Sequence, residues 1–443
     1  MKVTRLPKDP GPAGWNAILP SRPPSPPLAG RQTADWLVIG AGFAGLSAAR
    51  RLSQICPSDR IVVLDARQIA EGPAGRNSGF MIDLPHDLGS DNYSGALAAD
   101  RATTTDNRHA IEFAADMATD YRMPDEAFTW SGKINAAATA KGHAHNLDFA
   151  RHLTAMDEPG TMLDAAQMHE MTGTDYYQSG LATPGTATIQ PALYIRSVAD
   201  GLVSNGVTLH ENTPVTALDR QGDWVATTPT GHITAPKVIL AVNGHLNSFG
   251  FLPGRLMHVF TYASMTRALA PAEVATLGGH PVWGVTPSDP MGTTVRRISG
   301  TGGDRIIVRN RFTFDPRMEV SDRRIASVAR DHDRAFKARF PMLGHVDMAY
   351  RWGGRLCLSR NNVQVIGEVD QGLFAACCQN GLGTVRGTLA GMLAAEAATG
   401  TNSDALTRAQ SAADPQKLPP APIAGLGAAL RLKWSEFKAG REL

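Results

Sequence analysis

The sequence predicts an α/β fold: a Rossmann-type dinucleotide-binding domain interrupted by a mixed-sheet α+β domain. Three observations carry that prediction. The apolar run Trp36-Leu37-Val38-Ile39 leads straight into Gly40-Ala41-Gly42-Phe43-Ala44-Gly45 and then into a helix-forming segment, Leu46 to Leu52. A second apolar run, Ile61-Val62-Val63-Leu64, ends at Asp65. Buried-strand patterns return far downstream, at Lys237 to Val242 and Leu373 to Ala376, with mixed helix and strand patterns between them.

Consecutive apolar residues over four positions mark strands covered on both faces, as in a parallel sheet. The first two runs and the helix between them complete a βαβ unit of about thirty residues. Within it each glycine has a separate physical task. Gly40 permits the tight turn, Gly42 lets backbone approach a pyrophosphate, and Gly45 lets the helix pack on the strand. The helix opening at Phe43 and Ala44 offers free N–H groups and a positive dipole end to phosphate. Asp65, followed by Ala66 and Arg67, ends the second strand where a carboxylate can accept from a ribose diol.

The unit alone does not separate NAD from FAD. A second glycine-rich element, Asn380-Gly381-Leu382-Gly383-Thr384, follows the last strand and precedes a helix rich in small residues, among them Gly387, Gly391, Ala394 and Ala395. A helix dipole there would stabilise negative charge on a reduced flavin. Two such elements at opposite ends of the chain suit an extended FAD better than one nicotinamide nucleotide.

Composition narrows the partners. Lys plus Arg total 43 against 41 Asp plus Glu, giving +2, so no bulk field draws nucleic acid or an anionic membrane. No run reaches the roughly 18 apolar residues of a membrane span. The first thirty residues carry eight prolines and no apolar signal core, and read as an extended arm. Four cysteines without a CxxC imply a reduced, cytoplasmic protein without structural zinc. His143 and His145 stand two apart, a spacing that does not share one helix face, so no metal site is expected. The charged stretch Arg431 to Arg441 reads as a solvated helix.

The pattern resembles the D-amino-acid-oxidase-like family of FAD-dependent oxidoreductases, which includes sarcosine, glycine and gamma-glutamylputrescine oxidases. The likeness rests on Val38 to Gly45 with Asp65, on Pro191-Ala192-Leu193-Tyr194 with Thr213-Pro214-Val215 and Val238 to Gly244, and on Trp352-Gly353-Gly354 with Val365-Ile366-Gly367 and Asn380 to Gly383. Gly75-Arg76-Asn77-Ser78-Gly79 together with Trp352-Gly353-Gly354 is most similar to the gamma-glutamylputrescine-oxidase-like members. The resemblance implies a discontinuous FAD-binding domain from 31–90, 175–250 and 361–400, a substrate domain from 91–174 and 251–360, an arm at 1–30 and a tail at 401–443. It adds Arg76, Asn77, Ser78, Gly79, Val215 and Gly244 to the cofactor-binding set. No His or Cys stands where the family's histidine linkage would sit, and Cys357 is poorly offset for the cysteine linkage, so non-covalent FAD is expected.

The implied reaction is hydride transfer from a small amine or amino acid to flavin N5, giving an imine that hydrolyses, with O2 or another acceptor taking the electrons. Such chemistry is mostly a positioning problem and leaves no reliable acid–base signature. Four residues are candidates on the substrate side. Arg309 would clamp a carboxylate, Trp352 would wall the amine by cation–π attraction, Tyr262 would line the pocket, and His86 would act as a base. Each has a plainer alternative: a strand-end cation, a core aromatic, a core tyrosine, an exposed loop histidine. Two other classes compete. A disulfide-reductase-like protein would need a redox cysteine pair and a second nucleotide fingerprint, which are missing. A flavin-binding subunit that needs a partner for turnover remains open, although a full substrate lobe argues against it.

Overall fold

The computed structural model describes residues 1–85, 90 and 93–443. Its centre is a six-stranded sheet in the order Thr208–His210, Ile61–Leu64, Trp36–Ile39, Lys237–Leu240, Leu373–Cys377, Val365–Asp370. The first five strands run parallel, and the last pairs antiparallel at the edge. Strand alternation explains why the runs are apolar throughout. Val38, Val63 and Ile239 face a helical layer. Leu37, Ile39, Val62, Leu64, Val238 and Leu240 face the opposite way, onto the residues Leu218, Trp224, Ala226 and Ile233 of a four-stranded sheet.

In the helical layer, Phe43–Ile55 lies against Val385–Thr399. The small residues of the second helix let the two backbones nearly touch. A Cβ on Gly391 would stand 2.0 Å from the Ala44 carbonyl oxygen. Pro191–Ser204 completes the layer, with Tyr194 stacked on Phe43 at 5.9 Å between ring centroids.

The second region is an eight-stranded sheet in the order Met348–Ser359, Leu256–Thr266, Arg305–Phe314, Thr294–Ile298, Trp283–Pro287, Lys133–Ala137, Ser179–Thr183, Thr161–Leu163. It is mixed: Trp283–Pro287 pairs in parallel with Lys133–Ala137, and its neighbours pair antiparallel. The helix Asp322–Arg339 crosses it, burying Val328, His332 and Phe336.

Residues 93–174 carry the helices Leu97–Asp120, Ala140–Ala155 and Ala165–Thr172 and the strands Phe128–Trp130, Lys133–Ala137 and Thr161–Leu163. One sequence expectation changes here. Ser179–Thr183, assigned to the cofactor domain, is instead a strand of the eight-stranded sheet, because its partners on both sides lie there. The stretch Arg431 to Arg441 is mostly exposed, as expected of a solvated helix, while Glu442 just beyond it is buried, accepting from the Ala138 amide at 2.9 Å. Arg311 pairs with Glu436 of the last helix at 2.7 Å. Among the described residues no helix is long and apolar enough to cross a membrane.

Candidate active site

A long cleft runs between the C-terminal ends of the parallel strands and one face of the eight-stranded sheet. In an open α/β sheet this is the edge where ligands are received, because helix N-termini and loop amides gather there. One wall is built from Gly40 to Ala44, Asp65 to Gln68, Val215, Val242 to His245 and Gly381 to Thr384; the other contributes Tyr262, Thr286, Thr294 and Arg309.

The glycine positions divide their work as the spacing predicts. Gly40 has φ +105°, and a Cβ there would meet the Ala241 carbonyl oxygen at 2.6 Å. Gly45 does not reach the cleft; its added Cβ would lie 1.7 Å from the Gly40 carbonyl oxygen, so it is a helix-to-strand packing residue. Gly42 is different. Its Cβ would find only Ala74 Cβ at 3.6 Å, and the direction it occupies belongs to the cleft. The helix begins at Phe43 with no side chain capping its first turn, which leaves amide donors for an anion.

Asp65 sits at the strand end with both oxygens engaged. It accepts from the Ala41 amide and from the Arg67 amide, each at 2.8 Å. Burial pushes its carboxyl up to about 6, against the two amide hydrogen bonds that pull it down. It ties two cleft loops together and keeps lone pairs for a further donor. Ala66, Arg67, Val215 and Gly244 all line the cleft.

The Arg76 to Gly79 loop forms the next stretch of wall. Asn77 braces it by donating to Ala74 O at 2.7 Å and accepting from the Gly79 amide at 2.8 Å. Arg76 is buried, and its guanidinium donates to carbonyls of Glu71, Pro10 and Gly11 rather than to a carboxylate.

Across the cleft stands Arg309. Among the described residues no carboxylate bonds to it, its Nε is buried without a partner, and its guanidinium lies 4.6 Å from the centre of the Phe312 ring. Burial brings it down to about 10, still charged at neutral pH. Tyr262 lines the cleft nearby with its hydroxyl turned to Thr313 Oγ1 at 2.6 Å, and burial pushes the phenol up to about 12, so it stays protonated.

Two expected residues are elsewhere. Trp352 is fully buried in the core and does not line the cleft; its Nε1 donates to the Arg76 carbonyl at 3.0 Å. It shares a sheet face with the cleft-lining Ala263 and Arg309, but Gly14 lies against it and covers it there. Asn380 is also absent from the lining. Its side chain accepts from the Ser359 amide at 2.7 Å and donates to Val363 O at 2.8 Å, holding the glycine-rich turn while Gly381, Leu382, Gly383 and Thr384 face the cleft. His86 lies outside the described residues.

Sequence reading missed Arg355, His245 and His258, which share the lining. Arg355 donates to His245 Nε2. Burial first and Arg355 second hold His245 down to about 3 and His258 to about 4, so both imidazoles are neutral at physiological pH. No motif marks them, because three distant segments bring them together. Among the described residues no group of three or more His, Cys, Asp or Glu side chains could hold a metal ion.

The residues present fit an extended dinucleotide: an uncapped helix start beside glycines at one end, and the open position at Gly383 with Gly381 at φ +89° towards the other. Comparison with known proteins agrees. The chain is 24% identical over 412 residues to the "Probable oxidoreductase OrdL" of Rhizobium meliloti (strain 1021), covering 90% of each chain. It is 24% identical over 404 residues to the gamma-glutamylputrescine oxidoreductase of Escherichia coli (strain K12), covering 82% of this chain and 83% of that one. Glycine oxidase from Geobacillus kaustophilus superposes with a TM-score of 0.68 at 17% identity, over 84% of this chain and 96% of that one. The family model described as "FAD dependent oxidoreductase" (DAO) matches residues 35–397, and the chain belongs to that family.

Proposed function

We propose that this FAD-dependent oxidoreductase oxidises the carbon–nitrogen bond of a small amine or amino acid that carries a carboxylate. Arg309 carries the reading. A guanidinium that is charged, largely desolvated and, among the described residues, without a carboxylate partner, on the wall facing the dinucleotide-binding glycines, is matched by an anion that arrives with the substrate. When bound, FAD supplies the two-electron acceptor at N5. The chain's own residues then position the substrate. Arg309 fixes the carboxylate, and Tyr262 and Phe312 exclude water around it. Loss of the amine proton and of a hydride equivalent from carbon leaves an imine, which water converts to carbonyl compound and amine.

Proteins that share the fold include ones named glycine oxidase and L-proline dehydrogenase, both named for amino acids, which carry a carboxylate. The flavin is held without a covalent bond in this reading. Cys357 lines the cleft, but its neighbour Cys378 and its burial push the thiol up, so little thiolate forms to attack the ring.

Anaerobic mixing of the purified holoenzyme with a panel of amino acids, N-alkyl amino acids and amines tests this. Flavin bleaching by a carboxylated amine is expected, and readmitted oxygen then separates an oxidase from a dehydrogenase. Bleaching by hydroxy acids but by no amine would overturn it.

A further inference from the structure

We propose that the N-terminal arm is part of the cofactor site: Val3 to Asp9 form the outer wall of the flavin cleft, latched shut by the Asp9–Arg355 ion pair. This rests on FAD being the family's cofactor and not on the substrate reading above.

Val3, Arg5, Leu6, Pro7 and Asp9 line the same cleft as Gly42 and Asp65. The arm has no helix before Gly14 and makes its hydrogen bonds outward, to both halves of the molecule. On the cofactor side the Val3 amide donates to Thr216 O at 2.9 Å, and the Thr4 amide to Ser248 O at 3.0 Å. On the other side Arg5 donates to Arg317 O at 2.6 Å. The arm thus spans the opening and is pinned at both rims. Pro7, Pro10 and Pro12 fit this extended course, since they need no amide partner. Beyond Asp9, the carbonyls of Pro10 and Gly11 take the Arg76 guanidinium at 2.9 and 2.6 Å, so the wall is fastened to the flavin-side loop as well.

Asp9 supplies the latch. Its side chain is fully buried, and Arg355, 10% exposed, approaches it at 3.1 Å. Among the described residues no other cation is ion-paired with Asp9 and no second carboxylate with Arg355, which in turn faces neutral His245. Removing either charge leaves the other buried without its ion-pair partner, which is the situation in which a buried pair matters most. Lifting the arm separates this pair and breaks the rim hydrogen bonds together, so a dinucleotide beneath the wall leaves only after the arm opens.

Release of FAD from diluted holoenzyme, followed by the fluorescence of free flavin, tests the latch. Asp9→Asn is expected to speed release at least tenfold. The pair Thr4→Cys/Ser248→Cys, oxidised to a disulfide verified by thiol counting, is expected to slow release at least tenfold, with dithiothreitol restoring the original rate. An unchanged rate in the oxidised pair overturns the proposal, even if Asp9→Asn fails to fold. Because no substrate is present, failure of the amine-oxidation reading leaves these rates as they are.

Discussion

Trp352 and Arg76 are joined by a hydrogen bond from indole Nε1 to backbone carbonyl, 3.0 Å long and wholly buried. It links the strand Met348–Ser359 to the loop Arg76 to Gly79, which lines the cofactor cleft. The indole therefore acts on the cofactor wall from behind, as a positioning residue, and does not touch the substrate side. Arg76 is held twice: its carbonyl by Trp352, its guanidinium by the arm.

Trp352→Phe keeps most of the ring volume and removes the donor. An unsatisfied buried carbonyl costs about 1–3 kcal/mol. The expected result is weaker FAD binding by roughly tenfold or more on the usual conversion of 1.4 kcal/mol per decade, with substrate preference unchanged. Titration of the apoprotein with FAD, set beside kcat/KM for two amines at saturating FAD, checks it. A change in amine preference with FAD affinity intact would return Trp352 to the substrate pocket.

Gly42 and Gly45 should fail in different ways. A methyl at Gly45 collides with the Gly40 carbonyl at 1.7 Å, so Gly45→Ala is expected to lower the thermal midpoint of the apoprotein and of the holoprotein alike. A side chain at Gly42 meets nothing closer than 3.6 Å in the protein and projects into the cleft. Gly42→Val is therefore expected to leave the apoprotein folded, with a near-normal circular dichroism spectrum, and to abolish flavin binding. Stoichiometric FAD in purified Gly42→Val would count against the assigned site.

These outcomes trace what the sequence could reveal. The parallel strands were legible because both faces of each are covered, so Val38 and Leu37 are equally apolar, and the glycine tasks followed from backbone geometry alone. What covers each side chain in the second sheet was not. Trp352 shares a sheet face with the cleft-lining Ala263 and Arg309, yet Gly14, brought in from the N-terminal arm, lies against it and covers it. Arg309 read as a strand-end residue, whereas the strand runs on to Phe314 and holds the guanidinium mid-strand over the cleft. The arm gave no signal, since an extended proline-rich segment has no periodicity and its partners Arg355, Thr216 and Ser248 lie over two hundred positions away.

Removing the Arg309 guanidinium should separate binding of the carboxylate from binding of flavin. A charge-assisted hydrogen bond contributes about 1.5–3 kcal/mol, so Arg309→Ala is expected to raise KM for a carboxylated amine by roughly tenfold to a hundredfold. The flavin spectrum should be unaltered, and KM for a decarboxylated analogue should move little. Arg309→Lys, which keeps the charge without the fork, should recover part of the loss. Equal effects on both substrates would remove Arg309 from carboxylate recognition.

His332 sets the sign of a pH effect. It is buried on the helix Asp322–Arg339, with Nδ1 2.7 Å from Ser264 Oγ. Burial first, then Arg351, Arg311 and Arg309, holds it down to about 3 from an ordinary 6.5. Above pH 6.5 the ring is neutral whether the chain is folded or not, and pH makes no difference through this group. Between 6.5 and 3 the unfolded chain takes up a proton that the folded chain refuses, so stability falls as pH falls, by up to about 1.4 kcal/mol per pH unit for one proton. His245 and His258 act in the same direction. Asp65 acts oppositely between 3.8 and about 6, where the folded chain holds the extra proton. The test is therefore a difference. His332→Asn, which can still meet Ser264, is expected to lower the thermal midpoint at pH 8 and to close that gap steadily from pH 6.5 to pH 4.5. A gap that stays constant over this range would mean that His332 takes up its proton in the folded state.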